Sequence, residues 1–416
     1  MKGILVIPSA WKRAGGPKIG DADLPFATPL DRADELLPDL IRSFRAVRSK
    51  DVPLIVFGRA AAQDLEADAA RTLQRLLYTA DPSGGVKLFS HAQLRRLIGL
   101  LEQAGRPQAK TLLTFRTTAG CANTALALGQ ILGVHAVLIY GPRLRGPADA
   151  AEAERTIGWL GAMQDDRRCL AISSPRVPPP AGTDIHLKPP FHPGGALAVH
   201  RDLLVRLPFD PASEQRPEED YVLNAATFGY DVLSAAGLSG GELEPLPEPA
   251  TAETLEARYR HFARMRNKIR FQKDLVGMRK VQMDDLRPYP AEFLGDDLEE
   301  KFAREAEALS QRLRATPRST VGASERLSVG ASAEAGKCEA LAAKLKAPPV
   351  PASVPVSVPG PAEAGASTST STSTSPSTTP AGEEDAFDAY LKVQRQWVEL
   401  QEAGAGMKVS PEDLFA

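Results

Sequence analysis

Hydrophobic residues follow two patterns over roughly the first 310 positions. Short, continuous apolar runs occur at 3–7, 52–58, 111–116, 135–141 and 169–174. Such runs are typical of strands that are buried on both faces, as in a parallel sheet. Between them, apolar residues recur at helical spacing at 33–49, 65–80, 92–105, 123–133 and 148–164. This alternation predicts an α/β fold with a doubly wound, mostly parallel sheet, in which ligands bind at the carboxyl ends of the strands.

The pattern changes towards the end of the chain. From about 315 to 384 the sequence is rich in Ala, Ser, Thr, Pro and Gly, and it includes a run of alternating Ser and Thr. Such a composition cannot bury a core and predicts a disordered linker. We expect an α/β domain at 1–300, a helix end and linker at 301–384, and a short amphipathic helix at 385–416. Docking of that helix on its own domain and binding to a protein partner both stay open.

Bulk properties narrow the function and the compartment. The chain has 416 residues and a formal net charge of -2, so no broad affinity for nucleic acid is expected. Its three cysteines show neither pairing nor metal-ligand spacing, which favours a reducing, cytoplasmic setting. The apolar run near the start is shorter than the about 7–15 residues of a secretory signal. No apolar stretch approaches the roughly 18 residues of a transmembrane helix.

Two segments carry the candidate chemistry. The first is RTTAGCAN (116–123), a loop of small residues that leads into a predicted helix. The second begins at Gly194-Gly195, continues through a small-residue strand and a short helix to Phe209-Asp210, and reaches Glu219-Asp220 before another helix. The first apolar run is not followed by G-x-G-x-x-G, and the chain has no Walker motif, which argues against a dinucleotide-binding or P-loop domain.

Together, these segments resemble the GT-A glycosyltransferases of family 2, which transfer sugars from nucleotide donors with inversion. The resemblance covers roughly residues 1–275. It implies a GT-A fold, a hexosyltransferase-like activity, a nucleotide-sugar donor and a glycan or small-molecule acceptor. The alternative is a catalytically degenerate glycosyltransferase-like protein that binds or interacts without turnover.

The resemblance also implies roles for particular residues. It makes Asp220 the general base, with Glu219 as second choice, because inverting transfer needs a group that takes the acceptor proton. In isolation, the same acids also fit an ordinary acidic first turn that favours the helix dipole. The residues expected to border the donor nucleotide are Pro8, Ser9, Thr118, Gly120 and Asn123. The residues expected in the acceptor or sugar loop are His192, Gly194 and Gly195, where glycine lets the backbone approach a ligand closely.

The chain departs from the family where a metal is usually held. GT-A enzymes usually end the fourth strand with an Asp-x-Asp motif, but here Tyr140, Gly141 and Pro142 occupy that place. No carboxylate is expected to hold Mg²⁺ or Mn²⁺ there, so a divalent metal lacks its usual ligands. The second strand likewise ends with Arg59, where an acidic residue that binds the base is common.

Cations offer a substitute for the metal. Arginine can stabilise a leaving phosphate directly, and the candidates for contact with the diphosphate are Arg143, His261 and Arg264. The latter two belong to a strongly basic helical segment at 254–274. A solvated face of a packing helix and contact with a membrane surface are the other interpretations of that segment.

Overall fold

The computed structural model describes most of the chain, in ranges separated by gaps. The described residues are 2–15, 24, 27–45, 47–48, 52–142, 144–164, 167–175, 185–186, 193–213, 216–230, 232–238, 251–270, 295, 297–315, 324–347, 385–407, 409–410 and 414–415. The chain divides into two compact units. The first, here the α/β unit, comprises Met1–Pro249, Lys273–Leu294 and Tyr390–Ala416; the second, here the helical unit, comprises Ala250–Gln272 and Gly295–Ala389. The predicted domain boundary near residue 300 therefore does not coincide with these units, because the helical unit already begins at Ala250.

The α/β unit is built on one ten-stranded sheet among the described residues. A separate two-stranded ribbon pairs β7 with β8. The strands are β1 (Gly3–Ile7), β2 (Ala10–Lys12), β3 (Thr28–Pro29), β4 (Leu54–Ala60), β5 (Val86–Ser90), β6 (Ala136–Tyr140), β7 (Met163–Gln164), β8 (Arg167–Arg168), β9 (Ala171–Pro175), β10 (Ile185–His186), β11 (Pro193–His200) and β12 (Val232–Ala235).

The sheet is mixed but mostly parallel. Its main order is β10-β12-β9-β11-β6-β1-β4-β5, with β2 and β3 continuing beside the carboxyl end of β4. Strands β1, β4, β5 and β6 are mutually parallel, and β9 is parallel to β12. Strand β11 runs antiparallel to both of its neighbours, β6 and β9. The predicted α/β class with a mostly parallel sheet is confirmed.

The prediction of a strand at 111–116 is wrong. This segment holds the end of a short helix, Ala109–Leu112, followed by a loop. The third of the main parallel strands along the chain is instead β5, which lies at the edge of the sheet and, among the described strands, pairs only with β4. Its Lys87 is exposed between buried neighbours, so the strand shows no continuous apolar run. Edge strands commonly carry such a lysine, because it discourages pairing with another chain.

Helices flank this sheet. In the α/β unit they are α1 (Ala33–Ser43), α2 (Glu66–Ala80), α3 (His91–Gln103), α4 (Ala109–Leu112), α5 (Thr118–Ile131), α6 (Ala150–Gly158), α7 (Arg201–Leu204) and α8 (Pro217–Thr227). Side-chain caps set several starts: Ser90 forms a capping box with Gln93 at α3, and Asp149 caps α6. Thr117 caps α5, so that helix begins at Thr118, well before the predicted start at 123.

The helical unit consists of helices packed through small and aromatic side chains. They are α9 (Ala252–Arg270), α10 (Leu298–Ala315) and α11 (Ser324–Lys346). Ala252, Leu309 and Cys338, one from each helix, meet in a common core. Helix α11 lies inside the segment predicted to be linker, and that part of the prediction is wrong. The Ser-Thr run itself lies outside the described residues.

The last helix, α12 (Asp385–Gly406), packs on the α/β unit from Tyr390 onwards. Three donors on one face of the helix reach every second backbone carbonyl from Leu204 to Pro208, at and after the end of α7. Tyr390 Oη donates to Pro208 O at 3.0 Å, Gln394 Nε2 to Arg206 O at 2.9 Å, and Trp397 Nε1 to Leu204 O at 2.8 Å. The predicted helix therefore docks on its own chain. No helix among the described residues is long and apolar enough to cross a membrane.

Candidate functional site

The order of the strands defines where a ligand is expected. The main parallel strands run outwards from β1 through β4 to β5, and the chain then returns to place β6 on the other side of β1. Ligands of doubly wound sheets bind at the carboxyl ends of the strands near such a switch point. Strand β11 starts at the same edge, because Ala196 pairs with Tyr140 at the end of β6.

Pro8 and Ser9 follow β1 at this edge, and both are buried. The Ser9 hydroxyl donates to Phe57 O at 2.6 Å and accepts from Trp11 Nε1 at 2.9 Å. Its backbone carbonyl also accepts from the amide of Arg59 at 3.1 Å. Ser9 thus joins β1 to the end of β4, and its hydroxyl is already engaged.

Gly141 and Gly195 face each other across β6 and β11. The Gly141 amide donates to Gly195 O at 2.5 Å. A Cβ on Gly195 would come no closer than 3.6 Å to Gly141, which is an ordinary contact. Packing alone therefore does not require these glycines. Gly194 precedes this contact in β11, whereas His192 and Arg143 lie outside the described residues.

The end of β6 carries no acid. Tyr140 is buried there, and burial raises the pKa of its phenol well above the usual range. Its ring packs edge-on against Phe44, with centroids 4.7 Å apart. Within the part of the chain that the structure describes, no group of three or more His, Cys, Asp or Glu side chains could hold a metal ion.

Helix α5 contains three of the predicted donor-binding residues, and they have different surroundings. Thr118 begins the helix and is half-buried, so it can face a ligand. Gly120 donates its amide to Thr117 Oγ1 at 3.0 Å, and a Cβ at Gly120 would overlap the Thr114 side chain. Gly120 is therefore required for packing at the start of the helix.

Asn123 does not lie at a helix start, and that prediction is wrong. It is fully buried inside α5. Its Nδ2 donates to Phe209 O at 3.0 Å, and its Oδ1 accepts from the Phe209 amide at 2.7 Å. Both ends of the amide are used on one backbone unit, so Asn123 fixes the segment that precedes the acidic helix.

The predicted acid pair lies in the first turn of α8. Glu219 is 2% exposed and Asp220 is 1% exposed. Asn224 Nδ2 donates to Asp220 Oδ2 at 3.1 Å, and Arg216 Nη1 lies 3.5 Å from Glu219 Oε1. Arg216 has a left-handed backbone, with φ 47°, which is uncommon for a residue other than glycine. The burial of both acids distinguishes them from a solvated acidic first turn.

Two further groups belong to this site. Asp210 is 1% exposed and accepts from the Ala212 amide at 3.0 Å. Tyr390, contributed by α12, is fully buried, and burial raises the pKa of its phenol well above 10, with further contributions from Asp220 and Asp210. Sequence reasoning assigned no role to either residue. The spacing of Tyr390, Gln394 and Trp397 on one helix face was the available signal for the docking.

His261 and Arg264 lie on α9 in the helical unit, not in the α/β unit. His261 is buried, and so is Lys268, about two helical turns further along. Arg266, on the same helix, pairs with Glu299 of α10 at 2.9 Å. This basic segment therefore packs within its own unit, and several of its charged side chains are buried instead of facing solvent.

No protein-family model matches the chain, and no curated protein matches it. One solved structure, a crystal structure described only as that of a mycobacterial protein, is 16% identical and covers 63% of this chain and 73% of its own, with a TM-score of 0.35. A similarity at that TM-score supports no argument about fold or function.

Proposed function

We propose that the α/β unit is an inverting glycosyltransferase of the GT-A type, which moves a sugar from a nucleotide-activated donor to an acceptor hydroxyl. The observation that carries this proposal is the burial of Glu219 and Asp220, at 2% and 1% exposure. Burying ionisable carboxylates is costly, and such groups cluster at functional sites. A helix that needed only a favourable dipole would keep its acids in solvent.

The sheet supports the same proposal. Counted from the β5 edge, the first four strands are in the order β5-β4-β1-β6, but antiparallel β11 then stands between β6 and β9. This order differs from both the dinucleotide-binding and the flavodoxin-like arrangements of doubly wound sheets. Strand β11 with its Gly-Gly pair, the short helix α7 and the acidic helix α8 follow one another in the order that the resemblance to family 2 implies.

In the proposed reaction, Asp220 accepts the proton of the acceptor hydroxyl. The acceptor oxygen forms a bond to the anomeric carbon while the bond from that carbon to the diphosphate oxygen breaks. The nucleoside diphosphate leaves with the bonding electron pair, and attack from the opposite face inverts the configuration. Asn224 holds one oxygen of Asp220 at 3.1 Å, which orients the carboxylate.

We further propose that transfer does not require a divalent metal. The end of β6 offers Tyr140 and Gly141 in place of acids, so cationic side chains would offset the charge on the leaving group. Turnover in the presence of EDTA should equal turnover without it. Loss of activity on chelation would show that a metal site exists.

A second function is favoured by the position of Tyr390. Its phenol lies beside Asp220 and is fully buried, so the acid is enclosed when α12 is docked. This arrangement fits a protein that binds a sugar nucleotide or glycan without turning it over.

A thermal-shift panel of nucleoside diphosphates and nucleotide sugars, with and without Mn²⁺, tests for the nucleotide-sugar ligand of the transferase and of a sugar-nucleotide-binding protein. Stabilisation by a nucleotide supports a nucleotide-sugar site. Absence of stabilisation by every nucleotide would reject the transferase and leave an interaction role. Release of nucleoside diphosphate from a bound donor then separates the enzyme from the binding protein.

A further inference from the structure

Arg59 is a buried cation at the carboxyl end of β4. The residue is 2% exposed. Its Nε donates to Phe115 O at 3.0 Å, while its Nη2 is enclosed and has no hydrogen-bond partner. Within the described part of the chain, no carboxylate lies within ion-pair distance of this guanidinium. A buried charge without a counter-ion is strongly unfavourable.

The surrounding titratable groups do not supply the missing negative charge. Burial raises the pKa of the Cys121 thiol to about 11, so it stays neutral near pH 7. His91 accepts from the Ala60 amide through Nε2 at 3.0 Å, and burial lowers its pKa, so it stays neutral as well. The acid beside it, Glu66, pairs with His91 Nδ1 at 3.2 Å and with Arg95 Nη1 at 2.6 Å.

The start of α5 adds positive potential at the same place. Arg59 bonds to Phe115, two residues before the Thr117 cap, and it interacts electrostatically with Cys121 in the first turn. The amino end of a helix carries a partial positive charge and unsatisfied amides, which favour anions. Arg116, in the same loop, is exposed, and Thr118 is half-buried, so solvent reaches this helix start.

We propose that Arg59 and the amino end of α5 form an anion site that takes a phosphate group. The phosphate would supply the charge that Arg59 lacks. It would receive hydrogen bonds from the guanidinium and from the amides of Thr118 and Ala119, because the Gly120 and Cys121 amides already donate to Thr117. The inference uses neither Glu219 nor Asp220, but it rests in part on the proposed function, because Thr118 and Gly120 are among the residues expected to border the donor nucleotide. The ligand that carries this phosphate group is either free phosphate or pyrophosphate, or a nucleotide.

Titration calorimetry and thermal shift on the full chain at constant ionic strength test this site. The probes are inorganic phosphate, pyrophosphate, nucleoside diphosphates and the corresponding nucleosides. We expect a phosphate-bearing probe to bind and raise the melting temperature. If pyrophosphate binds as tightly as a nucleotide, the ligand is the free anion. If only nucleotides bind, the ligand is the phosphate group of a nucleotide. A response to nucleosides that equals the response to nucleotides would overturn the proposal.

Two pairs of variants test the residues. Arg59→Met should weaken phosphate binding by roughly tenfold or more, because a charge-assisted bond is lost. Its melting temperature without ligand should equal or exceed that of the wild type, since an uncompensated charge is removed. Arg75→Met, at an exposed position on α2, is the matched control and should bind like the wild type. A large loss of stability in Arg59→Met with unchanged binding would make Arg59 purely structural.

Thr118→Glu provides a test that leaves Arg59 in place. A carboxylate at the first residue of α5 should occupy the positive helix end, raise stability and abolish phosphate binding, whereas Thr118→Gln should retain binding. Equal binding by both variants would contradict the proposal. If phosphate binding depends on Arg59 but the protein transfers no sugar, the phosphate site is supported and the transferase is rejected. If the protein transfers sugar and Arg59→Met leaves that transfer unaffected, the transferase is supported and the phosphate site is rejected.

Discussion

Gly120 has no room for a side chain, whereas Gly195 has. A Cβ at Gly120 would overlap the Thr114 side chain and lie 2.9 Å from Thr114 O, so the backbone before α5 would have to move. We expect Gly120→Ala to lower the free energy of unfolding by about 1–3 kcal/mol, the usual cost of overpacking. Gly195→Ala, whose nearest contact is 3.6 Å, should change it by less than about 0.5 kcal/mol. Urea unfolding measures both, and equal losses would contradict this distinction.

At the residue scale, the acid pair was accessible from the sequence because ordered motifs surround it. The role of Asn123 was not, since its partner, Phe209, is 86 positions away and only the fold brings the two together. Arg59 was visible only as a departure from a family pattern. Its significance depends on burial and on the absence of a nearby carboxylate among the described residues, which a sequence cannot reveal.

At the element scale, buried phenols on α12, α8 and β6 make the α/β unit sensitive to high pH. The phenols of Tyr390, Tyr221 and Tyr140 are fully buried, and burial raises the pKa of each above its usual value near 10. A raised pKa in the folded state means that stability is fully present below pH about 10. It is lost above that pH, because only the unfolded chain ionises readily.

The Tyr390→Phe variant isolates the contribution of α12. Above pH 10, its free energy of unfolding should fall less steeply with pH than that of the wild type. The two slopes should differ by about 1.4 kcal/mol per pH unit, because one ionisation is removed. At pH 8 it should lose about 1 kcal/mol, because the bond to Pro208 O is gone. Tyr78→Phe, at a position 70% exposed, is the control and should keep the wild-type slope. An unchanged slope in Tyr390→Phe would show that the helix is undocked in solution.

Elements with continuous apolar runs were predictable, and those with mixed patterns were not. Strands β1, β4 and β6 are buried along their whole lengths, so their runs identified them. Strand β5 was missed because of exposed Lys87. Helix α11 was missed because small residues such as Ala335 and Cys338 form its buried side, and these resemble the composition of a linker.

At the scale of the whole molecule, buried thiols report on both units. Cys121 and Cys169 lie in the α/β unit and Cys338 in the helical unit, and all three are buried. We expect none of them to react rapidly with a thiol reagent in native protein, and all three to react in denaturant. Met163→Cys, at a position 63% exposed, should react at once and serves as control. Rapid labelling of Cys338 alone would show that the helical unit does not form its core.

The class of the fold was predictable because layered α/β domains impose their alternation on the sequence. The division into units was not, since α9 lies within the region predicted as the α/β domain but packs with α10 and α11 instead. Docking of α12 was left open for a similar reason. Its donors bond to backbone carbonyls, which carry no signature in the sequence.

The most direct test of the central proposal is turnover of a nucleotide sugar by the full chain and by Asp220→Asn. The donors are UDP-, GDP- and ADP-sugars, and the readout is release of nucleoside diphosphate with an added acceptor. We expect the wild type to release it and Asp220→Asn to be at least about a hundredfold slower, as for loss of a general base. Glu218→Gln, in the same helical turn, should keep the wild-type rate. Equal rates for Asp220→Asn and the wild type, or no release from any donor, would contradict the proposal.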